Sequence, residues 1–337
     1  MGQVRRRQFL TAAGALLATP LARAQQPRRT YRVAMVLATS PLAEMAGPNP
    51  DHPPTRGILH GLRSAGFVEG KNLVFYRRSA EGDAKRYKGL IDEVVGLKPD
   101  VMVVAPIPTL LRTAQSATRT VPIVQMGYPR LVEDGFVASL ARPGGNITGP
   151  AGVDWGESLG KLLQLFKETL PRLSRVGIVT TWWEAPAFQK VRKRLIAAGE
   201  ALGIELVSVA LHPSDPDVTY AEIAKVRVDG LLIPGGPTPY GQREALGRLA
   251  LAARIPAASE MADTTVKGGL MNYSIDLDEY LRVLARYVER ILKGAYPGDL
   301  PAEQATKFAL VINMKTAKAL SIAVPQSILL RADRVIE

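Results

Sequence analysis

The sequence predicts an α/β protein made of two Rossmann-like lobes, each a parallel sheet flanked by helices. Three observations lead there. Short apolar runs alternate with helical stretches. The alternation starts afresh after a turn-rich segment, Arg142-Pro143-Gly144-Gly145-Asn146. The chain has 337 residues, and at ~100–200 residues per domain that length suits two domains. Strands separated by helices read as βαβ units, whose parallel sheets are covered on both faces.

Residues 1–24 read as an export signal rather than as fold. They carry Arg5, Arg6, Arg7 and Arg23 and no acidic residue, then an apolar stretch from Phe9 to Leu21, then Ala22-Arg23-Ala24. A charged start, an apolar middle and a small-x-small end make a signal peptide, with cleavage expected after Ala24 and a periplasmic destination. Arg6-Arg7-Gln8-Phe9-Leu10 fits the twin-arginine variant of such signals. The apolar run falls short of the ~20 residues that span a bilayer.

From Tyr31 onward the expected strands are Val33–Ala38, Asn72–Tyr76, Val101–Ala105 and Pro122–Met126. Tyr87, Leu90, Ile91, Val94 and Val95 fall on one face of an intervening helix. In the second half, Leu159, Leu162, Leu163, Phe166 and Leu170 mark a helix, and Arg175–Val179 a strand. A helix through Phe188, Val191, Leu195 and Leu202 follows, with strands at Ile204–Val209, Gly230–Ile233 and Ile255–Ala258. Asp276 with Glu279 reads as a helix cap. The helix it opens carries Leu277, Leu281, Leu284, Val288 and Ile291 on one stripe.

Composition removes several function classes. With no Cys, there is no disulfide framework, thiolate metal site or cysteine nucleophile. The net charge is +12, and removal of the four arginines of residues 1–24 lowers it to +8. The remaining basic residues interleave with acids and form no arm, zinc finger or RNA-binding motif, so no nucleic-acid partner is expected. A DNA-binding repressor would need a helix-turn-helix, and the residues before Tyr31 read as an export signal instead.

No catalytic constellation stands out in the sequence. Gly156-Glu157-Ser158-Leu159-Gly160 matches the nucleophile elbow G-x-S-x-G. That motif needs an acid and then a His later in the chain, and no Asp stands between Ser158 and the one later histidine, His212. Ser158 is expected to cap a helix from Leu159. Gly236–Gly241 has the glycine spacing of a P-loop, but Gln242-Arg243 replaces the required Lys and Ser/Thr. His52, His60 and His212 lack metal-ligand spacing. No enzyme activity, cofactor or metal is expected.

Ligands of open parallel sheets bind beyond the carboxyl ends of the strands, and two such sheets place a site in the cleft between lobes. Segments that follow strands therefore supply the candidate contacts: Thr39, Ser40, Thr109, Tyr128, Trp182, Trp183, Thr238, Glu260 and Tyr273. The aromatic members offer large contact area with directional N–H and O–H groups. Arg130 and the hydroxyls of Thr39, Ser40 and Thr109 suit a carboxylate. The expected ligand is a small organic solute, aromatic or carboxylate-bearing.

Several stretches carry a family resemblance: Gly61–Asn72 (GLRSAGFVEGKN), Ala138–Gly149 (ASLARPGGNITG), Leu162–Val179 (LLQLFKETLPRLSRVGIV), Gly268–Tyr273 (GGLMNY) and Tyr287–Leu320. With them the chain resembles the tryptophan/tyrosine-transport-like substrate-binding proteins of ABC transporters, within the type I periplasmic binding fold. The resemblance implies lobes joined by a three-crossing hinge, hinge closure over a small-molecule ligand, a monomer, and an inner-membrane ABC permease as partner. A sensor feeding a membrane receptor would use the same fold. The lobes then divide as 31–146 with 274–303 and 147–273 with 304–337. Two cleft segments depart from the family. Tyr128-Pro129-Arg130 stands where Asp-Pro is common, which removes a partner for a ligand ammonium group. Pro41–Pro54 forms a long proline-rich loop.

Overall fold

The computed structural model describes residues 29–337, except Asp154, Trp182, Pro186, Ala187, Ser214, Ala305 and Thr306. The expected export signal and Trp182 thus lie outside the described residues. The first sheet contains β1 (Tyr31–Leu37), β2 (Leu73–Ser79), β3 (Val101–Val104), β4 (Ile123–Gln125) and β5 (Ile147–Thr148). Their order is β2-β1-β3-β4-β5, all parallel. Val33–Val36 and Val101–Val104 are fully buried, as expected of strands with helices on both faces.

Three helices follow strands of this sheet: α1 (Pro53–Ser64), α2 (Tyr87–Gly96) and α3 (Pro108–Ala117). A fourth, α10 (Leu277–Leu292), arrives from far along the chain and packs on α1. The close approach depends on two glycines. A Cβ at Gly57 would lie 2.6 Å from Leu281 Cδ1, and one at Gly61 would lie 2.4 Å from the Ala285 Cβ. Asp276 caps α10 by accepting from the Glu279 N–H at 3.1 Å, the N-cap bond expected of an Asp at that position. Leu281, Leu284, Val288 and Ile291 are buried, whereas Leu277 is exposed because it sits in the first turn, where the chain enters from the second lobe.

The second sheet has the order β12-β11-β10-β9-β8-β6-β7. Its strands are β6 (Arg175–Thr180), β7 (Glu205–Ala210), β8 (Gly230–Ile233), β9 (Ala257–Ser259), β10 (Met271–Ile275), β11 (Phe308–Asn313) and β12 (Arg334–Ile336). All neighbours are parallel except β10 and β11. Its helices are α4 (Trp155–Thr169), α5 (Gln189–Ala201), α6 (Pro216–Lys225), α7 (Pro237–Gly241), α8 (Arg243–Ala252), α9 (Ala262–Val266), α11 (Met314–Ala319) and α12 (Gln326–Leu329). Leu159, Leu162, Leu163 and Phe166 are fully buried in a core shared with Ile178 and Leu232. Among the described residues, no helix is long and apolar enough to cross a membrane.

The sheets extend past two of the expected boundaries. Ile147–Thr148 pair with β4, so the first sheet runs beyond Asn146. Tyr273 lies inside β10 rather than after it, and that strand continues to Ile275. A two-residue edge strand leaves almost no periodic signal, and β10 follows a Gly-Gly turn that hides its start. The crossings between sheets are tied together. The Ala151 N–H donates to the Glu303 carbonyl at 2.9 Å, and the Asp276 N–H to that of Lys307 at 2.9 Å. Gly152 presses so closely on the loop after β4 that a Cβ there would lie 2.1 Å from the Gly127 oxygen.

Candidate ligand-binding cleft

The segments after β1 and β8 meet across the gap between the sheets. The His52 and Tyr240 rings approach edge-to-face, with centroids 5.9 Å apart. Arg243 Nη2 stands 3.7 Å from Glu44 Oε2. The carboxyl ends of both sheets therefore line one cleft, where the strand order predicts a ligand.

On the first lobe, the proline-rich loop forms a firm wall. Prolines supply no N–H groups, so the loop's carbonyls need outside donors, and arginines provide them. Arg77 donates to the carbonyls of Met45 at 2.7 Å and Gly47 at 3.1 Å while holding Glu69 at 2.7 and 2.8 Å. Arg63 reaches Pro48, and Arg56 reaches Pro50 and Asp51. His52 ends the loop as the N-cap of α1. Its Nδ1 lies 3.3 Å from the Thr55 N and 2.8 Å from Thr55 Oγ1, and its Nε2 lies 3.1 Å from Ser40 Oγ. Burial, then Arg243 and Arg56, lower the pKa of His52 from 6.5 to about 4.

On the second lobe, Glu260 at the end of β9 accepts from Ser158 Oγ at 2.5 Å and from the Gly235 N–H at 2.8 Å. Burial raises its pKa above the usual carboxylate value, and these two hydrogen bonds partly offset that. Glu260 thus braces three cleft segments: the start of α4, the loop after β8 and the end of β9. Helix α4 begins at Trp155, so Ser158 lies inside it and does not cap a helix from Leu159. The G-x-S-x-G match is helical throughout, whereas a nucleophile elbow turns from strand to helix.

The other candidate contacts divide. Ser40 is buried and held by His52, and the Ser79 hydroxyl donates to its carbonyl at 2.5 Å. Thr39 is half-buried beside it. Thr109 is exposed in the first turn of α3, and Thr238 is partly exposed within α7. Trp183 is half-buried against the second-lobe core, and its carbonyl accepts from Arg192 at 2.8 Å. Tyr128 turns inward. Its ring meets Phe136 edge-to-face at 5.4 Å, its N–H binds the Gln125 side chain, and its hydroxyl donates to Asp134. Arg130 pairs with the same Asp134 at 2.8 Å. Tyr128 thus serves the first lobe's interior, whereas Arg130 stays exposed and pairs with Asp134 at the surface, partners that their sequence position did not reveal. Tyr273 stacks on Phe308 across β10 and β11 at 5.1 Å.

Four residues that meet here were not among the expected contacts, although the Pro41–Pro54 loop holding Glu44 and His52 and the segment ending at Tyr240 were expected at the cleft: Glu44, His52, Tyr240 and Arg243. Two of them carried a usable signal. His52-Pro53-Pro54-Thr55 is a helix start with prolines in the first turn, and Tyr240 and Arg243 lie three residues apart just past a strand.

Comparison with known proteins agrees with this architecture. The model of the family described as ABC transporter substrate binding protein matches residues 51–336. A tyrosine-binding protein of Clostridioides difficile (strain R20291) is 24% identical over 268 residues, covering 79% of this chain and 76% of that one. A conserved domain protein of Vibrio cholerae superposes with a TM-score of 0.77 at 28% identity, covering 91% of this chain and 100% of its own. An ABC domain from Streptococcus pneumonia in complex with L-Trp superposes with a TM-score of 0.76 at 21% identity, with the same coverage. With the match running over most of its length, the chain belongs to the ABC transporter substrate-binding protein family.

Proposed function

We propose that this protein is the exported receptor of an ABC importer and captures a small aromatic solute bearing a carboxylate. As a member of its family it binds a small molecule and works with a membrane permease. The observation that carries the reading is the single cleft lined by the carboxyl ends of two parallel sheets, with side chains of both lobes meeting across it. Relatives described as tyrosine-binding and as bound to L-Trp support the aromatic part. Thr39, Ser40 and Thr109, with the free N–H groups that begin α3, suit the carboxylate. Trp183 and Tyr240 supply aromatic surface. The mature chain begins at Gln25, works as a monomer in the periplasm, and closes by rotation of the lobes about the three crossings.

A thermal-shift screen tests the ligand class. L-tyrosine, L-tryptophan and aromatic acids lacking the amino group should raise Tm, while leucine and sugars should not. Stabilisation by aliphatic acids alone, with Trp183→Ala binding them normally, overturns the aromatic assignment.

A further inference from the structure

We infer that Glu44, His52, Tyr240 and Arg243 form a clasp that draws the lobes together without any ligand. The inference rests on the reading that the lobes close over a solute, and it assigns that closure a device of its own.

Arg243 begins α8 on the second lobe, and its side chain is only 11% exposed. A guanidinium stays charged, so one withdrawn from water needs acceptors. Asp263 of the same lobe supplies a permanent one, 2.8 Å from Nε, and the Tyr240 carbonyl accepts from Nη1 at 3.0 Å. The guanidinium lies over the Tyr240 ring, 4.5 Å from its centroid. These contacts survive opening. Glu44 is different, because it belongs to the opposite lobe and reaches Arg243 only when the cleft is shut. The His52–Tyr240 contact obeys the same condition.

The two halves are built for one another. Glu44 and His52 sit at either end of the arginine-pinned loop, and the His52 N–H donates to the Glu44 carbonyl at 2.8 Å. The loop therefore presents both side chains as one surface. Tyr240 and Arg243 are coupled in turn by their cation–π contact. The clasp is also incomplete. Among the described residues, Glu44 Oε2 and the Tyr240 hydroxyl are buried without a hydrogen-bond partner. Unsatisfied buried oxygens cost stability, so the clasp closes the cleft and still lets it reopen. Arg243 is already committed to two carboxylates, so it serves closure and is not a ligand's carboxylate anchor.

The absence of cysteine allows a direct test. Lys85 and Asp217 are exposed just past β2 and β7, the strands furthest from the crossings. Spin labels on K85C and D217C report lobe separation in the full mature protein with no ligand added. A population at short separation is expected, reduced about tenfold by Arg243→Met or by Glu44→Gln. The double variant should open no further than Arg243→Met alone. Because the substitutions lie in opposite lobes, local misfolding of one is checked by the other. Unchanged distances in both variants, or a wholly open unsubstituted protein, overturn the clasp. Neither result bears on which solute the cleft binds.

Discussion

His52 is the residue whose setting predicts the clearest pH dependence. It faces Arg243 and Tyr240 across the cleft, Arg56 on its own helix and Glu44 on the adjoining loop, with Asp263 behind Arg243. Its lowered pKa means the closed form holds it neutral. Opening hydrates the ring and returns it toward 6.5. Above that pH closure carries no proton cost. Between ~6.5 and ~4 the open form takes up a proton that the closed form excludes, so closure weakens progressively, by at most about 3 kcal/mol. Spin-label distances recorded from pH 7.5 to 4 should lengthen as the pH falls. His52→Asn keeps a helix-capping side chain and should flatten that profile; an unchanged profile would assign the effect elsewhere. Ser158 supplies a second prediction. Ser158→Ala leaves a buried oxygen of Glu260 unpartnered, which should cost about 1–3 kcal/mol, read as a lower Tm, and should abolish no hydrolytic activity.

Among the elements, those with strong periodicity were legible and the short ones were not. Gly230–Ile233 stands where expected, and Arg175–Thr180 differs by one residue. Both are apolar runs bounded by turn residues, the pattern of a strand buried on two faces. Strands β5 and β12 have two and three residues and exist through sheet pairing alone, which no local pattern reports. The pairing of α1 with α10 was equally invisible, since most of the second lobe lies between the two helices in sequence. It can be tested at Gly61. Alanine there gains up to ~1 kcal/mol of helix propensity, but its Cβ would lie 2.4 Å from that of Ala285. Overpacking of that kind costs about 1–3 kcal/mol, so Gly61→Ala should lower the midpoint of chemical unfolding. A raised midpoint would mean that the helices separate freely.

For the whole molecule, strand order located the cleft, because ligand position in open sheets follows from topology. Side-chain direction within it was not legible. Tyr128 follows a strand and Tyr273 lies within one, yet they face a core residue and a neighbouring strand, whereas Tyr240 in α7 and Arg243 at the start of α8 reach the opposite lobe. The resemblance and the family match agree on what the lobes are for, and the unusual Pro41–Pro54 loop proves to be the wall that carries Glu44 and His52. Export is open to a simple check: Arg6→Lys with Arg7→Lys should leave a full-length product in the cytoplasm, while the unsubstituted chain should begin at Gln25 in the periplasm. The most direct measurement is native mass spectrometry of the protein purified from that compartment. It should show one small aromatic acid bound per chain, released when the lobes are unfolded. A sugar or a branched aliphatic acid in that place would contradict the account.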